Sequence, residues 1–223
     1  MNPKEVAGTW AANLVEPGMK VGLGTGSTAY FVIMRLGQRV AEGLEIVATA
    51  TSKATELLAT EQHIPLLPLE QIGRLDIAID GADEIDPHLH LIKGGGGALF
   101  REKMVAMQAR RFVIVGDPSK YVDTLGAFPL PVEVVPFAHE LTRSKLESLQ
   151  AHPKLRLDDK GQPYLTDNGN YIYDCHVQRI PDPADFHSTL KSITGVVDTG
   201  LFIGLADQAV IGREDGTLTF LNR

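Results

Sequence analysis

The sequence of 223 residues predicts an α/β fold: a mostly parallel sheet with helices on both faces, plus a smaller α+β unit inserted late in the chain. Three observations carry this reading. Short apolar or β-branched runs alternate with helical patterns through the first half, which gives parallel strands joined by helical crossovers. Four of those runs lead into the loops GTGST, DGADE, KGGGG and GDPSK. In such folds ligands bind beyond the C-terminal ends of the strands, so neighbouring strands would bring the four loops to one edge. From about residue 127 the order becomes β-α-β-β-α-β, the split βαβ or ferredoxin-like pattern.

The elements follow in order. A first helix is expected over 3–14, with Asn2 as cap, Pro3 in the first turn, and Val6, Trp10 and Leu14 recurring every four residues. Glu16-Pro17-Gly18 ends it. Lys20–Leu23 reads as a strand running into GTGST, and 28–41 as a helix. Leu44–Ala50 is a β-branched strand, 52–62 a helix, and Ile64–Leu69 an extended stretch marked by Pro65 and Pro68. Leu75–Asp80 and Leu89–Lys93 read as strands, 98–109 as a helix, and Arg111–Val115 as a buried strand. In the later unit FPLPVEVVP is a strand, 138–150 and 183–193 are helices, and 195–197 is extended. YLT and YIYDCHV flank Asn168-Gly169, a strong hairpin turn. Runs 201–205, 209–211 and 217–221 read as strands returning to the first sheet. The division expected is 1–126 with 199–223 as one domain and 127–198 as a small lid-like domain.

Composition narrows the function. Hydrophobic residues are 43% and charged residues 22%, the profile of a globular protein with a sizeable core. No apolar run approaches the ~18 residues of a membrane helix, and no secretory signal is visible at MNPKEVAGTW. The single cysteine, Cys175, fits a reducing cytoplasm. The net charge is −7 with no Lys/Arg-rich block, which argues against nucleic acid and membrane partners.

The glycine loops are neither dinucleotide nor P-loop fingerprints. From Gly22, the first, third and sixth positions hold Gly22, Gly24 and Ser27, and no acidic residue ends the next strand. GTGST instead offers backbone amides, the hydroxyls of Thr25, Ser27 and Thr28, and a helix N-terminus, a set suited to an oxygen-rich anion or to simple capping. DGADE gathers three carboxylates in five residues, fit either for a solvated turn or for proton transfer and sugar hydroxyls. HLH at 88–90 would put two histidines on one strand face, but nothing nearby completes a metal set. KGGGGALFREK is the most informative stretch. Its glycines let amides approach a ligand closely, Lys93 adds charge, and Glu102 on the following helix can face back toward the loop. GDPSK adds Lys120 as a second cation for the same edge.

GTGST, DGADE, KGGGGAL-REK, DPSK, FPLPVEV and TDNGN, in this order and spacing, resemble the type A ribose-5-phosphate isomerase family over nearly the whole chain. The resemblance implies a Rossmann-like main domain, a homodimer or homotetramer, and no metal or organic cofactor. It implies interconversion of D-ribose 5-phosphate and D-ribulose 5-phosphate in the non-oxidative pentose phosphate pathway. Glu102 would be the acid/base, with Asp80, Asp83 and Lys93 lining the site. Thr25, Gly26, Ser27, Thr28, Gly81, Ala82, Gly94, Gly95, Gly96 and Lys120 would contact the sugar phosphate; Lys4 matches an N-terminal lysine only loosely. Gly97 stands where relatives often carry alanine, and Phe100 where a small polar residue is common. Glu102 would carry a proton between C1 and C2 through an enediolate, with Lys93 and glycine amides facing the developing charge. The competing expectations are a sugar-phosphate sensor module, a sugar-phosphate deaminase or a CoA transferase of similar architecture.

Overall fold

Asn2 starts the first helix as its position predicts: its side chain accepts the Lys4 N–H, and Pro3 occupies the first turn. The computed structural model describes residues 1–223. In chain order the first half contains α1 (Pro3–Ala12), β1 (Lys20–Leu23), α2 (Ser27–Ala41), β2 (Val47–Ala50), α3 (Lys53–Glu61), α4 (Leu69–Ile72), β3 (Ile77–Gly81), β4 (Glu84–Ile85), β5 (Leu91–Ile92), α5 (Leu99–Gln108) and β6 (Phe112–Gly116). A short 3₁₀ turn at Pro118–Lys120 follows. The second half contains β7 (Leu130–Val134), α6 (His139–Ser148), β8 (Pro153–Leu155), β9 (Tyr171–Cys175), α7 (Pro183–Lys191), β10 (Val196–Thr199), β11 (Leu201–Phe202), β12 (Gln208–Gly212) and β13 (Leu218–Asn222).

The main sheet has six strands in the order β13-β12-β6-β3-β1-β2. All pairs are parallel except β12 with β13, an antiparallel hairpin at one edge. Side chains alternate across it, as a strand period of two requires. Ile77, Ile79, Val113 and Val115 face a core shared with Ala7 and Ala11 of α1 and Val32 and Leu36 of α2. Ala78, Phe112 and Ile114 face the other side, against Val105 and Ala106 of α5. Burial on both faces explains why these strands read as continuous apolar runs. Each fully buried Val, Leu or Ile contributes about 1.5–3 kcal/mol.

A second sheet, β10-β7-β9-β8, is antiparallel throughout. Its β-α-β-β-α-β chain order and strand arrangement are those of the ferredoxin-like pattern. Val132, Val134, Tyr173 and Cys175 pack with Leu146 of α6 and Leu190 of α7 in its own core. Where the chain passes toward this sheet, the Glu84 carboxylate accepts the N–H groups of Gly126 and Phe128, at 2.7 and 2.6 Å.

Three expectations need correction. The strand before the four glycines does not join the main sheet; β5 sits between β4 and β11 in a small antiparallel sheet. The first of the three tail runs, at Leu201–Phe202, joins that same small sheet, while β12 and β13 do return to the main one. YLT forms no strand against β9, whose ladder partners are β7 and β8. Asn168-Gly169 does turn the chain, closed by the Gly169 N–H to Thr166 O bond at 2.9 Å. Glu133 holds that turn, accepting from the Thr166 hydroxyl and the Asn170 amide.

Candidate active site

Three loops meet beyond β1 and β3 because each is tied to another by backbone or carboxylate contacts. Asp80 lies near the end of β3, and its Oδ1 accepts the Thr25 and Gly81 N–H groups at 3.1 and 2.7 Å. Gly24 has to be glycine here: a Cβ would lie 2.1 Å from Asp80 Oδ1. Asp83 takes the Gly95 N–H at 2.8 Å and so pins the glycine loop to DGADE. Glu84, the third carboxylate, belongs to the structural bracket at Gly126 and Phe128. The three acids of one motif thus do three different jobs.

The Thr25 hydroxyl is a correction to the loop chemistry expected of GTGST. It is turned inward, 2.7, 2.9 and 3.0 Å from the hydroxyls of Thr51, Ser52 and Thr55. Thr25 therefore reaches the cavity with its backbone and methyl group. Ser27 keeps its hydroxyl near the opening, where it accepts from Lys4 Nζ at 2.9 Å. Gly26 takes φ +108 at the start of α2, a conformation that favours glycine.

Lys93 is the centre of the cluster. It is 2% exposed, with Nζ 3.0 Å from Asp80 Oδ2 and 3.3 Å from Glu102 Oε1, and it donates to the Gly81 carbonyl. Its own N–H is fixed by Gly200 O at 2.9 Å. Glu102 lies in the first turn of α5 and is 4% exposed; its Oε2 has no protein partner. Burial pushes the Glu102 carboxyl from an ordinary 4.5 up to about 8, with Lys93 pulling it down and Asp80 and Asp83 pushing it further up. Burial also raises Asp80, against the pull of Lys93. For Lys93 burial works against the charge, but Asp80 and Glu102 outweigh it and hold the ammonium above the ordinary lysine range. The lysine stays cationic while two carboxyls compete to be its partner.

The cavity in front of this cluster is lined by Thr25, Gly26, Ser27, Thr28, Gly81, Ala82, Asp83, Lys93, Gly94, Gly95, Gly96, Glu102 and Lys120. The sequence-derived site residues thus lie together, with Asp80 one layer behind Lys93. Gly97 lies outside the cavity; its φ is +81, and a Cβ would meet the Tyr164 hydroxyl at 2.3 Å. Phe100 points elsewhere, into a groove with Leu67, Pro68, Leu69 and Met104. His88 and His90 sit on a turn rather than a strand, their N–H groups both held by Asp86 Oδ1 at 2.8 Å.

Sequence reasoning missed the hydroxyl cluster of Thr51, Ser52 and Thr55, although Thr51-Ser52 directly follows β2 of the same sheet. It also missed Arg156, which donates to the carbonyls of Gly94 and Gly95 at 3.0 and 3.2 Å. No local signal marks that arginine, because its partners are far away in the chain.

A buried carboxyl of raised proton affinity, a lysine held cationic beside it and a loop of glycine amides make up the equipment of an enzyme that shifts a proton next to a carbonyl. The comparisons identify which such family this is. The family model for ribose 5-phosphate isomerase A (phosphoriboisomerase A) matches residues 47–216. The chain is 52% identical over 217 residues to a ribose-5-phosphate isomerase A of Bacillus mycoides, covering 97% of this chain and 98% of the relative. It is 49% identical over 220 residues to that of Parvibaculum lavamentivorans, covering 96% and 95%. A solved D-ribose-5-phosphate isomerase in complex with phospho-erythronic acid superposes with TM-score 0.96 at 40% identity over 100% of both chains. The ribose 5-phosphate isomerase A of Methanocaldococcus jannaschii gives 0.94 at 39% identity over 99% of this chain and 98% of that one. The chain belongs to the ribose 5-phosphate isomerase A family.

Proposed function

We propose that this protein interconverts D-ribose 5-phosphate and D-ribulose 5-phosphate, the aldose–ketose step of the non-oxidative pentose phosphate pathway, with Glu102 as the proton carrier. The observation that carries the residue assignment is the unpartnered Glu102 Oε2, nearly buried at the cavity and beside Lys93. In the ionised state a carboxylate whose pKa is raised to about 8 is a far stronger base than one at 4.5.

In the open-chain aldose Glu102 removes the C2 proton, and the electron pair moves to the aldehyde oxygen to give an enediolate. Glu102 returns the proton to C1, while the proton on the C2 hydroxyl passes to the C1 oxygen and C2 becomes the ketone. Lys93 and the glycine amides face the charge that develops on oxygen. Asp83 lines the cavity and can serve transfers between oxygens, while Asp80 acts from behind through Lys93. Lys120, Ser27 and Thr28, with the start of α2, give an anionic phosphate a cation, hydroxyls and helix amides. No step in this scheme calls for a metal or an organic cofactor. The relatives quoted above carry the isomerase name over nearly their whole length, so a sensor module, a deaminase or a CoA transferase is not favoured.

The same proposal treats 1–126 with 199–223 as the catalytic unit and 127–198 as the unit that covers it. It places the protein in the cytoplasm, in keeping with one free buried thiol at Cys175, and as a homodimer or homotetramer, whose size sedimentation would read. The primary test is to incubate the purified protein with ribose 5-phosphate and follow ribulose 5-phosphate by NMR. Conversion is expected; none under any buffer condition overturns the proposal.

A further inference from the structure

Arg156 holds the glycine loop from across the chain. It follows β8 and lies between two partners. Its Nε donates to Asp174 Oδ2 at 2.9 Å and its Nη2 to Asp174 Oδ1, a fork onto the neighbouring strand. Its Nη1 donates to the carbonyls of both Gly94 and Gly95. The guanidinium is planar, so fixing one edge on Asp174 fixes the direction of the remaining nitrogen. Tyr164 adds a ring 5.9 Å from the guanidinium carbon. The two charged side chains are only 15% and 23% exposed, which keeps water from replacing the contact easily.

Peptide geometry turns that contact into a consequence for the cavity. In a trans peptide the N–H points opposite to the preceding C=O. Turning the Gly94 carbonyl toward Arg156 aims the Gly95 N–H the other way, and Asp83 Oδ2 accepts it there. Turning the Gly95 carbonyl toward Arg156 aims the Gly96 N–H away from Arg156 in the same manner. The Gly97 N–H is used within the loop, on Gly94 O at 2.9 Å, whereas the Gly96 N–H has no acceptor in the protein although Gly96 lines the cavity.

We propose that Arg156, clamped by Asp174, is a positioning residue that aims the Gly96 N–H at the substrate oxygen that gains charge during enolisation. This rests on the isomerase reading given above. Arg156 acts through the loop and does not touch the sugar. Without it, the Gly95 carbonyl loses its partner and the Gly94 carbonyl keeps only the Gly97 N–H, and glycine has the greatest freedom to rotate away. A misaimed donor weakens the transition state more than the bound substrate, so kcat falls while KM changes little.

The test compares Arg156→Ala, Arg156→Lys and Asp174→Asn with the parent protein. Steady-state kinetics on ribose 5-phosphate, the unfolding midpoint, and binding of phospho-erythronic acid, whose carboxylate resembles the charged enediolate, are measured for each. For Arg156→Ala, kcat should fall roughly 10–100-fold with KM within about 3-fold, a fraction of the loss when an oxyanion donor is removed outright. Binding of phospho-erythronic acid should weaken by a similar factor. Arg156→Lys should not rescue, since an ammonium cannot bridge the same four acceptors in one plane, and Asp174→Asn should lose kcat in the same direction. A parent-like kcat in Arg156→Ala, or a rise in KM alone, overturns the inference. If Arg156→Ala fails to fold, the other two variants decide by the same criteria. Failure of the parent protein to isomerise would instead overturn the functional reading on which the comparison stands.

Discussion

Replacing Glu102 by glutamine should move two observables in opposite directions. Glu102 is 4% exposed, and burial raises its carboxyl from 4.5 to about 8. In the unfolded chain the group returns to its ordinary value, so from pH 4.5 to about 8 the folded protein binds a proton that the unfolded chain has released. Stability therefore falls as pH rises through that window. At about 1.4 kcal/mol per tenfold change in proton affinity, the whole window corresponds to at most on the order of 5 kcal/mol. Relaxation and joint titration with Asp80 reduce this, and a gain of roughly 2–4 kcal/mol for Glu102→Gln at pH about 8.5 relative to pH about 5 is expected. The same change removes the proposed base, so turnover should fall by about 10²–10⁴-fold or more while sugar-phosphate binding persists. Urea unfolding at both pH values, with kcat at saturating ribose 5-phosphate, reads both effects. Turnover within about tenfold of the parent would remove Glu102 as the base, and a stability difference independent of pH would show that its proton affinity is not raised by burial.

Other outcomes follow from the same geometry. Lys93→Met leaves Asp80 and Glu102 without their cation and should cost about 10²–10³-fold in kcat; a change in stability with kcat intact would make the lysine structural only. Gly24→Ala forces a methyl group to within 2.1 Å of Asp80 Oδ1 and 2.6 Å of the Asp80 Cα. Because the backbone is one of the obstacles, both stability and turnover should drop, and parent-like activity would show that Asp80 tolerates displacement. Lys120→Ala should raise KM for the sugar phosphate by roughly tenfold or more with a smaller effect on kcat, as loss of a phosphate cation does; an unchanged KM would remove Lys120 from the phosphate end.

The parts of this protein that could be read in advance are those that depend on local chemistry. Asn2-Pro3 starts a helix by capping, and the continuous apolar runs at Ile77–Ile79 and Val113–Val115 need only strands buried on both faces. Lys93, Glu102 and the glycines announced themselves because ordering four consecutive glycines is costly without a return. What escaped depends on distant partners. The run Leu91–Ile92 looks like any buried strand, and only its pairing with Leu201–Phe202 places it outside the main sheet. The strong local turn at Asn168-Gly169 pointed to Tyr164–Thr166 as the partner of Tyr171–Cys175, whereas the strand that pairs there, Pro153–Leu155, lies further back in the chain and carries no turn signal linking it. The inward turn of the Thr25 hydroxyl depends on Thr51, Ser52 and Thr55, and the role of Gly97 depends on Tyr164. None of these is visible in spacing alone.

In the proposed reaction Glu102 moves the substrate proton through an enediolate. Isomerisation of ribose 5-phosphate in deuterium oxide, with NMR of the ribulose 5-phosphate formed, tests it most directly. Solvent deuterium is expected at C1 in at least part of the product made by the parent protein, with incorporation slowed in Glu102→Gln by about the same 10²-fold or more as turnover. Product free of solvent deuterium throughout, as a direct hydride shift would give, or parent-like incorporation by Glu102→Gln, would contradict it.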